Sequence, residues 1–364
     1  MAYSFSFIGL GLIGGSIAKA LRASYPDCLI QAYDIDMQAL ELAACEHTID
    51  RICESVDAAL LSCNYLFLCA PVSHNDAILA QLAAHLPENT IITDVGSVKE
   101  TTHTAIQNAG LSHCFIGGHP MAGSEKTGYA HANPLLLENA YYILTPTDTV
   151  PKQYVSCLKD IITSIGAIPL ILDYRKHDYI TAAVSHLPHI IAASLVNLVR
   201  DSDDRDGLMK LIAAGGFKDS TRIASSSPVM WQSICLTNTE NILSLLQSYI
   251  DSLQKIRDDL TARQADSLFT LFETAKEYRD AFTDGNHGPI KKEFAIHVDI
   301  PDVPGSIAKT ATLLADHALS IRNIGIMHSR EFQEGALRIE FYDEATMRTA
   351  SLLLKENAYT IYDK

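Results

Sequence analysis

The sequence is short of positive charge. Its 364 residues include 28 lysines and arginines against 43 aspartates and glutamates, which gives a formal net charge of −15. Proteins that bind nucleic acid need a basic face for phosphate contacts, so this composition argues against nucleic acid as a partner. An anionic ligand would have to be held in a local basic pocket, against the field of the whole protein.

Paired cysteines and long apolar runs are also missing. The eight cysteines include no C-x-x-C pair and no zinc-like spacing, and several lie in apolar runs, where a free thiol acts as a small hydrophobe. This use of cysteine is typical of a reducing compartment, so we predict a cytoplasmic protein. No uninterrupted apolar run approaches the length of a transmembrane helix, and no membrane partner is expected. The length predicts two or three globular domains.

A glycine-rich turn follows the first predicted strand, residues 4–8, and leads into a predicted helix. Its G-x-G-x-x-G pattern permits a tight turn and close approach of a pyrophosphate, which the N-terminus of the helix can hold. A second predicted strand ends at Asp34, about 20 residues further on, where a carboxylate can accept the ribose hydroxyls of NAD and repel the 2′-phosphate of NADP. The pattern therefore predicts NAD as the cofactor. The residues expected at this turn are Gly9, Gly11, Leu12, Ile13 and Gly14.

Continuous apolar runs at 65–70 and 90–94 predict two more strands that are buried on both faces. In sheets of this kind, ligands bind outside the carboxyl ends of the strands. The residues after the strands are therefore expected on one rim, beside the nicotinamide. They are Ala70, Pro71, Ser97 and His119.

The run at 117–128, GGHPMAGSEKTG, places a histidine, a hydroxyl, a carboxylate and a lysine between glycines. We predict a loop, because the run has too few apolar side chains for a core element. Glycine lets the backbone approach a ligand closely, and polar loops on a rigid scaffold often carry chemistry. A surface turn is the alternative, but the preceding cofactor motif favours a site.

The second half of the chain has long helical patterns. Residues 180–199 are apolar nearly all round, which is typical of a helix buried in a core or between subunits. Inside this stretch lie Ser185, His186 and His189, and Pro188 is expected to kink or break the helix. The two histidines share a face, but no third ligand is evident, so we predict no metal site.

A second glycine-opened segment, GGFKDSTRIA at 215–224, carries the cations Lys218 and Arg222. A guanidinium matches the geometry of a carboxylate with two parallel hydrogen bonds. Arg222 is therefore a candidate for binding a carboxylate, with a surface ion pair as the alternative. The long amphipathic helix predicted over 238–261 is more typical of subunit or core packing.

Residues 284–289, DGNHGP, are typical of a linker, and the pattern after them predicts the element order βαββαβ. The turn Asp302-Val303-Pro304-Gly305 joins the first strand of this region to its first helix. Free N–H groups at such a turn can hold the carboxylate of an amino acid. Asn323, near the next strand, is a second candidate contact for such a ligand.

Taken together, these segments resemble the prephenate dehydrogenase family, in the form that carries a C-terminal ACT domain. The resemblance covers essentially the whole sequence. It implies a Rossmann-type α/β NAD-binding domain over 1–172, an all-α substrate and dimerisation domain over 173–285, and a small α+β ACT domain over 291–364. The motifs that carry it are GLGLIGGS at 9–16, DVGSVK at 94–99, GGHPMAGSEKTG at 117–128, SHLPH at 185–189, GGFKDSTRIA at 215–224 and PDVPGSIA at 301–308.

That family oxidises prephenate with NAD to 4-hydroxyphenylpyruvate and CO2 on the route to tyrosine, as a homodimer. The resemblance implies that His119 is the catalytic histidine, that Ser97 hydrogen-bonds near the reacting hydroxyl and that Arg222 grips a substrate carboxylate. It also implies tyrosine as an effector of the ACT domain. Further substrate positions are Ser124, Ser185, His186, His189 and Lys218, and the effector positions are Asp302, Pro304, Gly305 and Asn323.

Other functions fit parts of the pattern. An arogenate dehydrogenase would run the same chemistry on a substrate that bears an ammonium. A 3-hydroxyacid or 6-phosphogluconate-type dehydrogenase has a similar architecture but typically uses a lysine base. A non-catalytic sensor of NAD and amino acids would not need the His119, Ser97 and Arg222 set. Tyrosine resembles the product, so it can also be expected in the active site.

Overall fold

The computed structural model describes residues 3–70, 78–79, 82–124, 126–284, 294–301, 303–327 and 336–362. The chain divides into two compact units, Met1–Phe269 and Thr270–Lys364. The three-domain boundaries expected near residues 172 and 285 remain a prediction.

The first part of the larger unit is a parallel sheet of five strands in the order β3-β2-β1-β4-β5. Phe7 on β1 pairs with Ala32 on one side and with Phe67 on the other, and the rings of Phe7 and Phe67 stack at 4.9 Å. The strand order reverses beside β1, and the carboxyl edge at that point is where such sheets bind ligands. The strands are β1 (Ser4–Ile8), β2 (Leu29–Tyr33), β3 (Arg51–Ile52), β4 (Tyr65–Leu68) and β5 (Ile91–Asp94).

Helices cover this sheet. The first of them buries Gly14, Ile17, Ala18 and Leu21, which recur at i, i+3, i+4 and i+7 and so form one apolar face. The helices of this half include Leu12–Ser24, Met37–Cys45, Ala58–Leu61, Glu100–Asn108 and Lys152–Ser164, and 3-10 turns lie at Ser112–Cys114, Tyr129–His131 and Pro134–Leu137.

Three more strands, β6 (Ile116–Pro120), β7 (Tyr141–Pro146) and β8 (Ile168–Ile171), form the sheet β6-β7-β8. β6 is antiparallel to β7, and a parallel bridge joins Ile92 on β5 to Phe115. β6 therefore runs in the direction of β5, and its carboxyl end lies at the carboxyl edge of the parallel sheet.

The prediction that residues 117–128 form a loop throughout was wrong for the first four of them. Residues 117–120 belong to β6, and this strand is buried along its whole length. Glycine explains how a polar sequence forms a buried strand. A Cβ on Gly117 would collide with the Thr145 hydroxyl, and one on Gly118 with the main-chain oxygen of Asp94. The absence of side chains lets β6 pack against these neighbours.

Helices make up the rest of the larger unit. Tyr174–Thr181 and Leu187–Ser202 are joined by a π-helical turn, Ala182–His186. Pro188, which has no N–H to donate, lies in the first turn of the second helix. The predicted kink or break is thus a widened turn, a feature that is common at functional sites. The other helical segments are Leu208–Ile212, Gly215–Thr221, Arg222–Ser225, Pro228–Thr237 and Thr239–Thr261, and the helix Ala265–Asp284 begins in this unit and continues into the smaller one, which starts at Thr270.

Much of this helical surface is apolar and exposed in the single chain. Val184 is 64% exposed and Leu198 62%. Tyr174–Ser202 is also the one helical stretch in the described part of the chain that could cross a membrane by length and composition alone. A contiguous apolar surface of this kind is equally typical of a protein–protein interface.

The smaller unit has the predicted order βαββαβ. Its antiparallel sheet is arranged β10-β11-β9-β12, as in ferredoxin-like folds. Ile296, Val298, Ile339 and Phe341 form its core with residues of two helices. The elements are β9 (Phe294–Asp299), the helix Ser306–Asp316, β10 (Asn323–Met327), β11 (Ala336–Phe341), the helix Glu344–Glu356 and β12 (Ile361–Tyr362).

Candidate active site

The glycine turn after β1 lies at the carboxyl edge of the sheet, and the space beside it is called here the glycine crevice. Gly9 has φ +94°, and a Cβ there would lie 2.7 Å from the main-chain nitrogen of Ala70. A Cβ on Gly14 would lie 2.6 Å from the Gly9 oxygen, so both glycines are needed for packing. Gly11, by contrast, faces open space, with nothing within 4 Å of a Cβ. It directly precedes the helix Leu12–Ser24, whose N-terminal N–H groups suit a phosphate.

Asp34 is fixed at the end of β2, beside this turn. One carboxylate oxygen accepts a hydrogen bond from the Leu10 N–H, and the other accepts from the Asp36 N–H at 2.8 Å. The carboxylate is therefore oriented before any ligand arrives. Its position next to the glycine turn fits the ribose of a dinucleotide. Pro71, which was predicted at the same rim, lies outside the described residues.

A buried ion pair connects β5 to β6. The Asp94 carboxylate pairs with the Lys99 ammonium and also accepts from the Gly118 N–H at 3.0 Å, while Lys99 Nζ donates to the Gly118 oxygen at 2.7 Å. Burial lowers the pKa of Lys99, and the Asp94 charge opposes that shift. These bonds fix both ends of the loop that carries Ser97, next to the strand that carries His119.

His119 lies on β6 and is 9% exposed. Its Nδ1 is 2.8 Å from Nε2 of His177, and Nδ1 of His177 is 2.7 Å from Oδ1 of Asp178. Asp178 also accepts from the N–H groups of Lys99 and Glu100, each at 2.8 Å, and so caps the helix Glu100–Asn108. His177 and Asp178 were not predicted from the sequence. They form an adjacent His-Asp pair in a helix, and their spacing carries no motif.

Burial sets the charge of His119. It lowers the pKa of the imidazole well below its ordinary value, and His177, Lys99 and His186 act in the same direction. The ring is therefore neutral near pH 7, as a base must be. The lowered pKa of His119 comes from its burial on β6, which no short stretch of sequence reveals.

The π-helical turn places a second group of side chains near Asp178. Asn238 Nδ2 donates to the main-chain oxygen of Asp178 at 2.8 Å and lies 3.1 Å from Nδ1 of His186. Burial lowers the pKa of His186 to about 4. Because an amide nitrogen only donates, Nδ1 of His186 is the acceptor. Asn238 was expected only at the start of a packing helix, so its role here was also missed.

His189 lies one turn further along the same helix. Its ring stacks on Trp231 at 3.6 Å, and its Nδ1 donates to the Ser185 oxygen at 3.0 Å, which leaves Nε2 as an acceptor. Burial lowers the pKa of His189, and the Arg222 charge adds to this shift. Arg222 is thus near enough to His189 to act on it electrostatically.

Three further predicted substrate contacts, Arg222, Lys218 and Ser124, are exposed, and Ser185 is half-buried. Arg222 and Lys218 form no ion pair with any described residue. Ser124 Oγ accepts only from the Lys126 N–H, at 3.2 Å, within its own loop. In the described part of the chain, no group of three His, Cys, Asp or Glu side chains is placed to hold a metal ion.

The predicted effector positions belong to the smaller unit. Gly305 has φ +92° and directly precedes the helix Ser306–Asp316, and Pro304 precedes it in the same turn. The Asn323 side chain lies within its own sheet, with Nδ2 3.3 Å from Glu340 Oε1 and Oδ1 accepting from the Ile324 N–H at 2.9 Å. Asp302 lies outside the described residues.

Two family models together match most of the chain. The nucleotide-binding domain of prephenate dehydrogenase matches residues 17–170, and the dimerisation domain matches residues 173–274. Prephenate dehydrogenase of Bacillus subtilis (strain 168) is 39% identical over 352 residues, which are 96% of this chain and 95% of the relative. Both domain matches end before β9, whereas the relative covers nearly the whole chain.

Two solved structures are similar to much of this chain. Prephenate dehydrogenase from A. aeolicus, crystallised with hydroxyphenyl propionate and NAD+, has a TM-score of 0.73 at 31% identity and covers 78% of this chain and 99% of its own. Arogenate dehydrogenase from Synechocystis has a TM-score of 0.68 at 28% identity, with coverage of 77% and 99%.

Proposed function

The chain belongs to the prephenate dehydrogenase family, and from that premise we propose that it oxidises prephenate with NAD to 4-hydroxyphenylpyruvate and CO2. The observation that carries the proposal is His119, a buried histidine on the rim that also holds the glycine crevice. A neutral imidazole at this edge is suited to removing a proton from a substrate hydroxyl.

The crevice fits the cofactor. The open space at Gly11 accommodates a pyrophosphate, the first N–H groups of the helix Leu12–Ser24 would bind it, and Asp34 would bind the ribose hydroxyls. When bound, NAD accepts the hydride from the ring carbon of the substrate. The carboxylate of Asp34 also opposes the 2′-phosphate of NADP, so NAD is the expected cofactor.

The proton chemistry belongs to His119 and Ser97. His119 would take the proton of the ring hydroxyl as the hydride departs, and Ser97 would hydrogen-bond the same hydroxyl. The ketone that forms is a vinylogous β-keto acid. Its loss of CO2 produces an aromatic ring, so this step requires neither a second base nor a metal ion.

Substrate binding would use the helical half. Prephenate is a dianion, and Arg222 supplies a guanidinium beside His189 in a protein of net charge −15. Lys218, Ser124, Ser185 and His186 are proposed as further contacts.

The deciding experiment measures NADH formation by the purified chain with prephenate and with arogenate. We expect prephenate to be oxidised with the higher kcat/KM. The similarity to arogenate dehydrogenase from Synechocystis makes arogenate the second candidate substrate. A preference for arogenate would replace the substrate and keep the mechanism, and NADH formation with neither compound would contradict the proposed function.

We also propose that the smaller unit is an ACT domain that binds tyrosine and regulates the enzyme. Its βαββαβ order and the positive φ of Gly305 at a strand-to-helix turn support this assignment. The exposed apolar helices support a homodimer through the helical half. A cytoplasmic location remains the prediction from cysteine usage.

A further inference from the structure

Two buried residues outside the predicted site, His177 and Asp178, complete the surroundings of His119. We propose that they are positioning residues, which hold His119 as the tautomer with its hydrogen on Nδ1 and so leave Nε2 free to act as the base. The role of Nε2 rests on the proposed function. The tautomer is a property of the resting protein and can be tested by itself.

The direction of the hydrogen bonds follows from Asp178. A carboxylate only accepts, and three N–H groups are directed at this one, from the His177 ring at 2.7 Å and from the main chain of Lys99 and Glu100 at 2.8 Å. His177 must therefore carry a hydrogen on Nδ1. In a neutral ring, Nε2 of His177 is then an acceptor.

His119 completes the chain of bonds. Its Nδ1 lies 2.8 Å from that acceptor, so Nδ1 must be the donor. The single hydrogen of the neutral His119 ring is thereby placed on Nδ1, and Nε2 keeps its lone pair. The opposite arrangement requires a protonated His177 that donates to His119, and it would put the hydrogen of His119 on Nε2.

The two residues are firmly held. His177 is 0% exposed, and Asp178 is fixed through both carboxylate oxygens and through its main-chain oxygen, which accepts from Asn238. A rigid acceptor is what a fixed tautomer needs, because a free imidazole exchanges its hydrogen between two nitrogens. In a serine protease, losing the carboxylate that fixes the tautomer of the catalytic histidine lowers kcat about 10⁴-fold.

The direct test is nitrogen NMR on the full-length protein with ¹⁵N-labelled histidine, at about pH 8, above the ordinary imidazole pKa. The His119 signal is assigned by its loss in His119→Gln. We expect a hydrogen on Nδ1 and a bare Nε2. A hydrogen on Nε2 overturns the proposal, whatever the substrate of the enzyme.

Two variants of His177 test the consequence. His177→Leu removes the acceptor, and we expect kcat to fall by about 10²–10⁴-fold with little change in KM for NAD. His177→Gln keeps an oxygen acceptor near the former Nε2 position, and it should recover about tenfold or more of that loss. A merely structural role predicts no such rescue.

His103→Leu is the matched control. His103 is also buried, at 6% exposure, but its Nε2 bonds to the Thr145 hydroxyl at 2.9 Å and not to His119. We expect this variant to keep kcat within about threefold of wild type. Equal losses in the two leucine variants, or full activity in His177→Leu, overturn the proposal. A wild type inactive on both substrates refutes the proposed function, and the NMR result still decides the tautomer.

Discussion

Single buried histidines are held neutral by their surroundings. Burial lowers the pKa of His103 to about 4 and that of His186 to about 4, and it lowers the pKa of His119 well below the ordinary value. One residue type thus supplies the proposed base, a packing group and a hydrogen-bond acceptor in the same unit. Both catalysis and stability should therefore depend on acidity.

His119 should control the acid side of the activity profile. In wild type, kcat/KM for prephenate should fall with acid, with a midpoint below the ordinary imidazole value of about 6.5, because burial lowers the pKa of the base. His119→Asn should lower kcat by about 10²–10⁴-fold and change KM less. A profile with its midpoint above that value would contradict this assignment.

His103 and His186 should weaken the fold in acid. Their folded-state pKa of about 4 lies below the unfolded value of about 6.5, so the unfolded chain binds more protons between these limits. The stability that these two neutral, buried rings give the fold is fully present above pH about 6.5 and is lost as the pH falls towards about 4. We expect each to cost about 1–3 kcal/mol over that window.

Urea unfolding at several pH values measures this loss. His103→Gln should flatten the pH dependence relative to wild type, because the glutamine does not titrate. An unchanged slope in the variant would show that carboxylates dominate acid unfolding.

The sequence could propose the residues that lie in a local pattern, and their roles stay predictions. Gly9, Gly14 and Asp34 follow from one motif, and His119 from its polar segment. His177 and Asn238 could not be found in this way, because they reach the site only when distant helices pack together. The lowered pKa of His119 has the same origin, since burial by non-local neighbours has no signature in a short stretch.

Among the elements, the helix Leu12–Ser24 borders the glycine crevice at its start and packs against the segment that follows the His119 strand. A Cβ on Gly15 would lie 2.6 Å from Cδ2 of Tyr129 and 2.8 Å from Cβ of Ala132. The Asn133 N–H donates to the Ser16 hydroxyl at 3.0 Å. The second glycine of the Gly-Gly pair thus serves packing, whereas Gly11 faces the open crevice.

Gly15→Ala and Gly11→Ala should therefore affect different properties, the first the stability of the fold and the second the binding of NAD. Overpacking at Gly15 should lower the free energy of unfolding by about 1–3 kcal/mol. The better helix propensity of alanine opposes this loss by at most about 1 kcal/mol. Gly11→Ala should leave stability unchanged and weaken NAD binding, because its Cβ enters the phosphate space. Thermal unfolding and NAD titration measure the two effects. Loss of NAD affinity in Gly15→Ala at full stability would contradict the assignment.

Whether a segment forms a strand or a helix was easier to predict than how that segment packs. The alternation of strands and helices and the order βαββαβ agree with the structure. The strand at 117–120 was missed because Asp94 and Lys99, which bond to the main chain of Gly118, lie outside the run. The π-helical turn before Pro188 was expected as a kink or break, since sequence marks the missing N–H but not how the helix compensates for it.

For the molecule as a whole, the exposed apolar helices predict an obligatory partner. Leu198→Glu places a charge on the apolar stretch Tyr174–Ser202 and should convert a dimer into monomers, seen by light scattering during gel filtration. Leu135→Glu is the control, since Leu135 is 67% exposed but lies in the nucleotide-binding half. If both variants have the same mass, the interface does not lie on the stretch Tyr174–Ser202.

Regulation should depend on the turn of the smaller unit. Gly305→Val in the full chain should abolish inhibition by tyrosine and retain NADH formation, because valine is strained at φ +92°. Gly207→Val introduces similar strain, at φ +66°, in the helical half. The inhibition constant for tyrosine, measured for both variants, distinguishes the turn at Gly305 from the His119 pocket as the place where tyrosine acts. Unchanged inhibition in Gly305→Val would place tyrosine in the His119 pocket instead.

The strand position of His119 has a consequence for how the protein can change. The base is fixed by ladder bonds and by the Asp94–Lys99 pair, whereas Gly123 and Ser124, soon after the strand ends, are exposed. Substitutions and insertions after Pro120 can therefore alter which acid is admitted without displacing the base. Selection for a new substrate, in nature or in a laboratory library, should concentrate its accepted changes there and leave residues 117–120 untouched.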